Sequence, residues 1–430
     1  MRALLPIRRD EAAAVVLSFA YFFCLLCSFY MLRPVREEMG IQGGVRNLQW
    51  LFTGTFVAML AAVPLFGRLS SRWPRRKLLP AVYLFFSANL IVFFLLMKAA
   101  VDPATVARVF FVWLSVFNLF VVSVFWSLMA DIFSNEQARR LFGLIAAGGS
   151  AGAIVGPAVT ALMVTVVGIP NLLLGSAVLL SLAVVFILAL TRWVQRYGRG
   201  GEASQGPPLG GSIWAGVGLT LSSRYLAGIG LLILLLAVLN TFVYFEQARL
   251  VQAAFASPEA RTQLFAKMDL AVNVLTLFTQ AALTNLLISR FGVGGLLSGL
   301  LLLNVGGFFA LGAAPVLSTL VVFQVLRRAS DYSIIRPVRE VLFTVVSREE
   351  KYKAKNFIDT VVFRGGDAAT GWVVSAIQAL GATTGQVALL ATPLAALAAG
   401  IAWLLGQKQE ALRRPAPVPQ AVGVERGAAD

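Results

Sequence analysis

Two arginines and a glutamate occur in the same order at two distant points of the chain, Arg33-Pro34-Val35-Arg36-Glu37 and Arg336-Pro337-Val338-Arg339-Glu340. A guanidinium is a planar fork that grips phosphate, carboxylate or sulfonate oxygens two at a time, so such pairs suit the binding of an anion. Spacings of three and four put Arg33, Arg36 and Glu37 on one helix face. Arg328, Asp331, Tyr332, Arg336, Arg339 and Glu340 fall mostly along one side of a second helix. Both groups sit in or at the end of apolar runs, where an ionisable side chain at bilayer depth costs roughly 2.5–3.5 kcal/mol and nearly always faces a cavity or a partner. Two blander readings compete. Arg33 and Arg36 lie near the end of their run and can snorkel to the interface, or each arginine can pair with Glu37 or Glu340 as structural glue. Glu246, closing the run 240–246, has an interfacial alternative of the same kind.

The elements that carry these residues are membrane spans. Hydrophobic residues make up 58% of the 430 and charged residues 13%, against about 45–50% and about 25% in soluble domains. Apolar runs of about 20 residues recur near 11–34, 47–66, 78–98, 104–130, 141–166 and 169–191, then near 224–247, 265–289, 291–313, 315–346, 353–380 and 383–406. The expected fold is therefore all-α, with twelve transmembrane helices in two six-helix bundles. The bundles cover 1–191 and 224–406, joined by a polar Gly- and Pro-rich linker, 192–223, and followed by a tail, 407–430. The first run is too long for a signal-peptide core and reads as a span. Pro34 is expected to loosen the first helix and Gly40 to end it.

The net charge of +16 is placed in alternate short loops, the pattern of a polytopic protein rather than of a nucleic-acid binder. It predicts a multi-pass protein of a bacterial inner membrane with both termini cytoplasmic. Histidine is absent, which removes His-based catalysis and His-ligated metals. Cys24 and Cys27 stand alone in an apolar helix and read as buried small hydrophobes rather than a metal site. Residues 143–157 carry small residues at three- and four-residue spacing, which lets helices approach closely. The Gly-rich stretch 198–206 lacks the Gly-Lys-Ser/Thr ending of a phosphate loop. An enzyme is not expected, nor is a cofactor.

The loop beginning at Gly67 resembles the Gly-x-Leu-x-Asp-Arg-x-Gly-Arg-(Arg/Lys) signature of the major facilitator superfamily, with Ser71 in place of the aspartate and Pro74 in place of the second glycine. Weak echoes between the halves, such as Ser-Asn-Glu-Gln-Ala-Arg-Arg (134–140) and Ser-Arg-Glu-Glu-Lys-Tyr-Lys (347–353), fit the internal repeats of secondary transporters. Three stretches, 32–40, 240–249 and above all 332–367, resemble the nucleotide transporter family of the ATP/ADP translocase type, a relative of that superfamily. The resemblance implies exchange of nucleotides and places the family's transport-critical first- and tenth-span lysines at Arg36 and Arg339 and its seventh-span glutamate at Glu246. Its fourth-span glutamate has no carboxylate counterpart; the stretch 113–126 offers Asn118.

Together these readings give a monomeric carrier of a small anion, ATP or ADP among the candidates, working by alternating access. Arg36, Arg339, Arg33, Arg336, Glu246 and Tyr332 would bind substrate; Glu37, Glu340 and Asp331 would serve gating or coupling. Losing the fourth-span carboxylate while keeping both cations leaves the cavity more positive, which still favours anions. A proton-driven exporter of amphiphilic compounds, with Glu246 carrying the proton, is the alternative within the same fold. A transporter-like scaffold without flux is the alternative outside it.

Overall fold

The computed structural model describes residues 8, 11–73, 75–197 and 213–413. The middle of the expected linker, 198–212, and the tail from 414 on lie outside the described residues. Twelve spans follow one another. The first four are α1 (Ala12–Gln42), α2 (Leu48–Arg72), α3 (Arg75–Lys98) and α4 (Pro103–Ile132). Asn135–Tyr197 is one helical stretch broken at Gly168, whose φ of +79° only glycine adopts without strain; it gives α5 (135–167) and α6 (169–197). A short helix, Ile213–Ser222, precedes α7 (Arg224–Ala254). Pro258–Ala282 runs on as far as 291, forming α8, and a second glycine break at Gly292 (φ +66°) opens α9 (293–313).

The last three spans include interruptions. In α10 (317–345) the α-helix Leu317–Ser330 gives way to a π-turn, Asp331–Ile335, before Arg336–Leu342 and a 3₁₀ turn. Pro337 has no N–H and its ring would press on the carbonyl four residues back. The backbone widens instead, and the Arg336 N–H donates to the Asp331 carbonyl five residues back. In α11 (348–379) a second π-turn, Ile358–Val362, separates Arg348–Phe357 from Phe363–Ala379. Such turns gather at functional sites, and both lie beside the cavity described below. Thr384–Arg413 is α12.

Among the described residues eight helical stretches are long and apolar enough to cross a membrane, and 135–196 counts as one of them although it contains two spans. The other three are α8, which is too polar around Lys267 and Asp269, and α10 and α11, whose π-turns leave no unbroken helix of that length. Large apolar side chains face outward, Val166 77% and Leu162 68% exposed among them, which suits acyl chains and not water.

Each half has its own core. Phe22 stacks on Phe125 at 3.9 Å in the first, and α7 and α12 pack in the second around Leu226, Ala395 and Leu405. The small-residue stripe of α5 works as expected. A Cβ at Gly152 would sit 2.5 Å from the Phe23 carbonyl and one at Gly156 2.7 Å from that of Cys27, so α1 and α5 meet backbone to backbone. Cys24 and Cys27 are buried free thiols in this contact. Gly40 does not end α1. The helix continues to Gln42, and Gly40 is buried where a Cβ would come within 3.0 Å of the Tyr244 hydroxyl. Its small size serves packing of α1 on α7; Gly43 supplies the cap.

The halves join through α1, α2 and α5 on one side and α7, α8 and α11 on the other. Arg261 on α8 grips Glu38 on α1 through two bonds of 2.7 and 2.8 Å. Gln263 and Asn273 of α8 donate to the Ala161 and Ala153 carbonyls of α5 at 2.9 and 2.6 Å. Trp372 and Ser375 of α11 bond Thr53 and Gln49 of α2 at 3.1 and 3.0 Å. All but the Asn273–Ala153 bond, which lies at mid-span on the wall of the cavity described below, are in the part of the spans distant from the chain's termini. The seam is apolar as well as polar: Ile41, Leu48, Leu51 and Phe111 of the first half are continuous with the second half's core.

Candidate functional site

Toward the termini the halves part around a cavity of about 810 Å³. Its wall includes Phe22 and Ala146 of the first half and Gln280 and Arg336 of the second, so it extends toward that end. Among the described residues seven arginines line it: Arg33 and Arg36 from the first half, Arg327, Arg328, Arg336, Arg339 and Arg364 from the second. Four carboxylates line it too: Glu37, Asp331, Asp359 and Asp367.

At the junction of the halves, Arg33 forms an ion pair with Asp269 at 3.2 Å and donates to the Tyr332 hydroxyl at 3.1 Å. Arg328 donates to the same Asp269 oxygen at 2.5 Å. Asp269 is buried, with its side chain 3% exposed, so it is held between a cation from each half. Tyr332 presents its ring to Arg336, 4.4 Å away, while Arg336 Nε donates to Asp331 at 2.9 Å. Arg36 lies 3.8 Å over the Phe111 ring, donates from Nε to Ser115 at 3.1 Å and pairs with Glu37 at 3.2 Å. That cation–π stacking contributes on the order of 1 kcal/mol and holds the guanidinium against the wall. Arg339 pairs with Asp359 at 3.3 Å, and Arg364 with Asp367 at 3.5 Å. Neither Arg33 nor Arg36 snorkels; both are mostly buried and face the cavity.

Most of the residues named from the sequence therefore meet in one place: Arg33, Arg36, Glu37, Asp331, Tyr332, Arg336 and Arg339 line the cavity. Two do not. Glu340 turns away from it to accept from Lys355 of α11 at 2.6 Å, because residues 339 and 340 point about 100° apart on a helix. Glu246 is buried within the second half, where Gln378 of α11 donates to it at 3.3 Å. Its place at the distal end of α7 puts it against α11 instead of the cavity.

Of the residues not found from sequence, Asp269, Glu38 and Asp359 take a charged partner from another span, while Arg364 pairs with Asp367 in its own. Asp269 has only Lys267 near it in sequence, two residues away and so on another helix face. Glu38 reads as the twin of Glu37, yet only Glu38 reaches across to Arg261. Asp359 lies within the second π-turn and Arg364 just beyond it, and Arg327 is flanked by Arg328.

A model of the major facilitator superfamily matches residues 12–326, well over half of the chain. The chain belongs to the major facilitator superfamily. Solved structures with the superfamily's architecture resemble it along nearly its full length. The nucleoside transporter NupG is 15% identical, with 94% of this chain and 99% of that one covered and a TM-score of 0.59. The POT family transporter PepTSo is 12% identical, with 93% and 98% covered and a TM-score of 0.67. A bacterial homolog of the human lysosomal transporter Spinster, in an inward-facing and unoccupied conformation, is 13% identical, with 96% and 100% covered and a TM-score of 0.62. No curated protein sequence matches the chain. A facilitator-superfamily membership makes the protein a multi-pass membrane transporter, and it accounts for a charged cavity between two helical bundles.

Proposed function

We propose that this transporter carries a small organic anion, with phosphorylated compounds and nucleotides as the first candidates, by rocking its two halves about the central cavity. What supports the reading is the excess of guanidinium over carboxylate on a wall built by both halves. Arginines in such a site bind phosphate or carboxylate oxygens, and low-dielectric walls strengthen that attraction. The resemblance of 332–367 to nucleotide transporters favours nucleotides within the class. The conformation described, sealed distally and open toward the termini, is one of the two that alternating access requires, and the Spinster homolog is described in a conformation of that kind.

Arg36 and Arg339, one from each half, form the clamp in this reading, and Tyr332, Arg33 and Arg336 complete it. The carboxylates Glu37 and Asp359 now occupy the clamp and are displaced by substrate. Counterflow of radiolabelled ATP into ADP-loaded liposomes tests the proposal. Arg36→Ala and Arg339→Ala should each abolish uptake while the purified carrier keeps its helical content; normal uptake by both variants refutes the clamp.

A further inference from the structure

The cavity arginines differ in how far they are already neutralised. Arg36, Arg336, Arg339 and Arg364 each have a carboxylate, namely Glu37, Asp331, Asp359 and Asp367. Arg33 and Arg328 share the single charge of Asp269. Arg327 has none among the described residues. Its Nε and Nη2 donate to the Gln324 side-chain oxygen at 3.0 and 2.8 Å, and Nη2 also to that of Asn240 at 3.1 Å. Gln324 is held in turn by Gln247, at 2.6 Å. Asp331, one turn further along α10, is taken by Arg336.

Two positive charges are therefore left over, one at Arg327 and one in the Arg33–Asp269–Arg328 group, and residues 327 and 328 are neighbours. Neutral amides orient the Arg327 guanidinium without cancelling its charge. They occupy its Nε side and leave Nη1 unbonded at the cavity wall. A half-buried cation without a counter-ion is costly in a membrane interior, and an arriving anion removes that cost.

Resting on the anion reading above, we propose that the substrate is a dianion and that Arg327 is its principal anchor. The second charge is taken by Arg33 and Arg328, which Asp269 only half satisfies. The chemical class is a small dicarboxylate or a phosphate monoester, which carries about 1.5–2 negative charges at neutral pH. The Arg36 and Arg339 pair, each already holding a carboxylate, adds to binding but does not start it.

The test is thermal stabilisation of the purified full-length carrier by four probes: butyrate, succinate, inorganic phosphate and AMP. Saturable stabilisation by succinate, phosphate or AMP, and none by butyrate, is expected; the succinate and AMP arms separate dicarboxylates from phosphate esters. Arg327→Gln should weaken the best probe at least about tenfold, as loss of a hydrogen bond to a charged group does. Arg327→Lys, which keeps the charge, should weaken it less and shows that the site still folds. Equal binding by wild type and Arg327→Gln overturns the anchor while leaving anion transport standing. Stabilisation by butyrate as strong as by succinate overturns the dianion class alone. A wild type that answers to none of the four overturns the dianion inference, and the ATP counterflow described above then decides the reading beneath it.

Discussion

The pair Glu38–Arg261 ties α1 to α8 across the seam, and breaking it should shift the balance of conformations. Glu38 is 0% exposed, and Arg261 holds it through two bonds of 2.7 and 2.8 Å. Removing one partner of a buried ion pair costs about 3–5 kcal/mol because a charge is left unpaired. In the distally open state that the proposed alternating access requires, α1 and α8 would separate and water would reach both groups, so the same substitution would cost little there. Most of the penalty therefore falls on the sealed state. At about 1.4 kcal/mol per factor of ten, 3 kcal/mol moves the equilibrium toward the open state on the order of 100-fold. Arg261 also donates to the carbonyls of Phe255 and Ala256 at 3.0 and 3.4 Å, so part of an Arg261→Ala effect is confined to the second half. Glu38→Gln, Arg261→Gln and the double variant form a cycle that isolates the coupling across the seam. Spin labels on the distal ends of α2 and α8 report their separation by pulsed electron resonance in lipid nanodiscs. Glu38→Gln should populate a longer distance that wild type lacks, and the double variant should cost less than the sum of the singles. A distance distribution unchanged by Glu38→Gln would show that the bond does not hold the distal end closed.

Gly152→Leu should prevent folding of the first half, since its side chain would enter the Phe23 carbonyl region of α1 where even a Cβ has 2.5 Å; size-exclusion profiles of the detergent extract would then show aggregate in place of monodisperse protein. Ser347→Ala should loosen the start of α11, because Ser347 and Glu350 form a reciprocal capping box, with a loss of about 1 kcal/mol read as faster amide exchange over the first turn. Asp102 caps α4 outside the membrane, and the Thr105 hydroxyl and amide hold its carboxyl below the ordinary aspartate range. A lowered value means that the cap is present at neutral pH and lost as pH falls through the folded value; exchange at Thr105 should rise there in the wild type and stay flat in Asp102→Asn.

How much of this was legible in the chain follows from the range of each interaction. Span number and the two-bundle plan come from the length of apolar runs, which a bilayer about 30 Å thick sets directly. The α1–α5 contact was legible for a similar reason: a stripe of small residues is local, periodic information. That the Arg-Pro-Val-Arg-Glu arginines face a wet space followed from the cost of any other place for them. Gly40 misled because a glycine near a helix end is consistent with both termination and close packing, and only Tyr244 on α7 decides between them.

The sequence by itself determined which helices carry charge, since lipid penalises a buried ion whatever its partner. Only the tertiary structure decided which ion meets which. Glu37 and Glu38 are chemically identical neighbours, yet one faces the cavity and the other is locked to Arg261, 223 residues away. Glu246 is directed at Gln378 and not at the cavity. Arg327 donates to neutral amides while Arg328 shares a carboxylate. Coulomb attraction acts through space over a few ångströms, and the fold alone brings residues from α1, α8 and α10 within that distance.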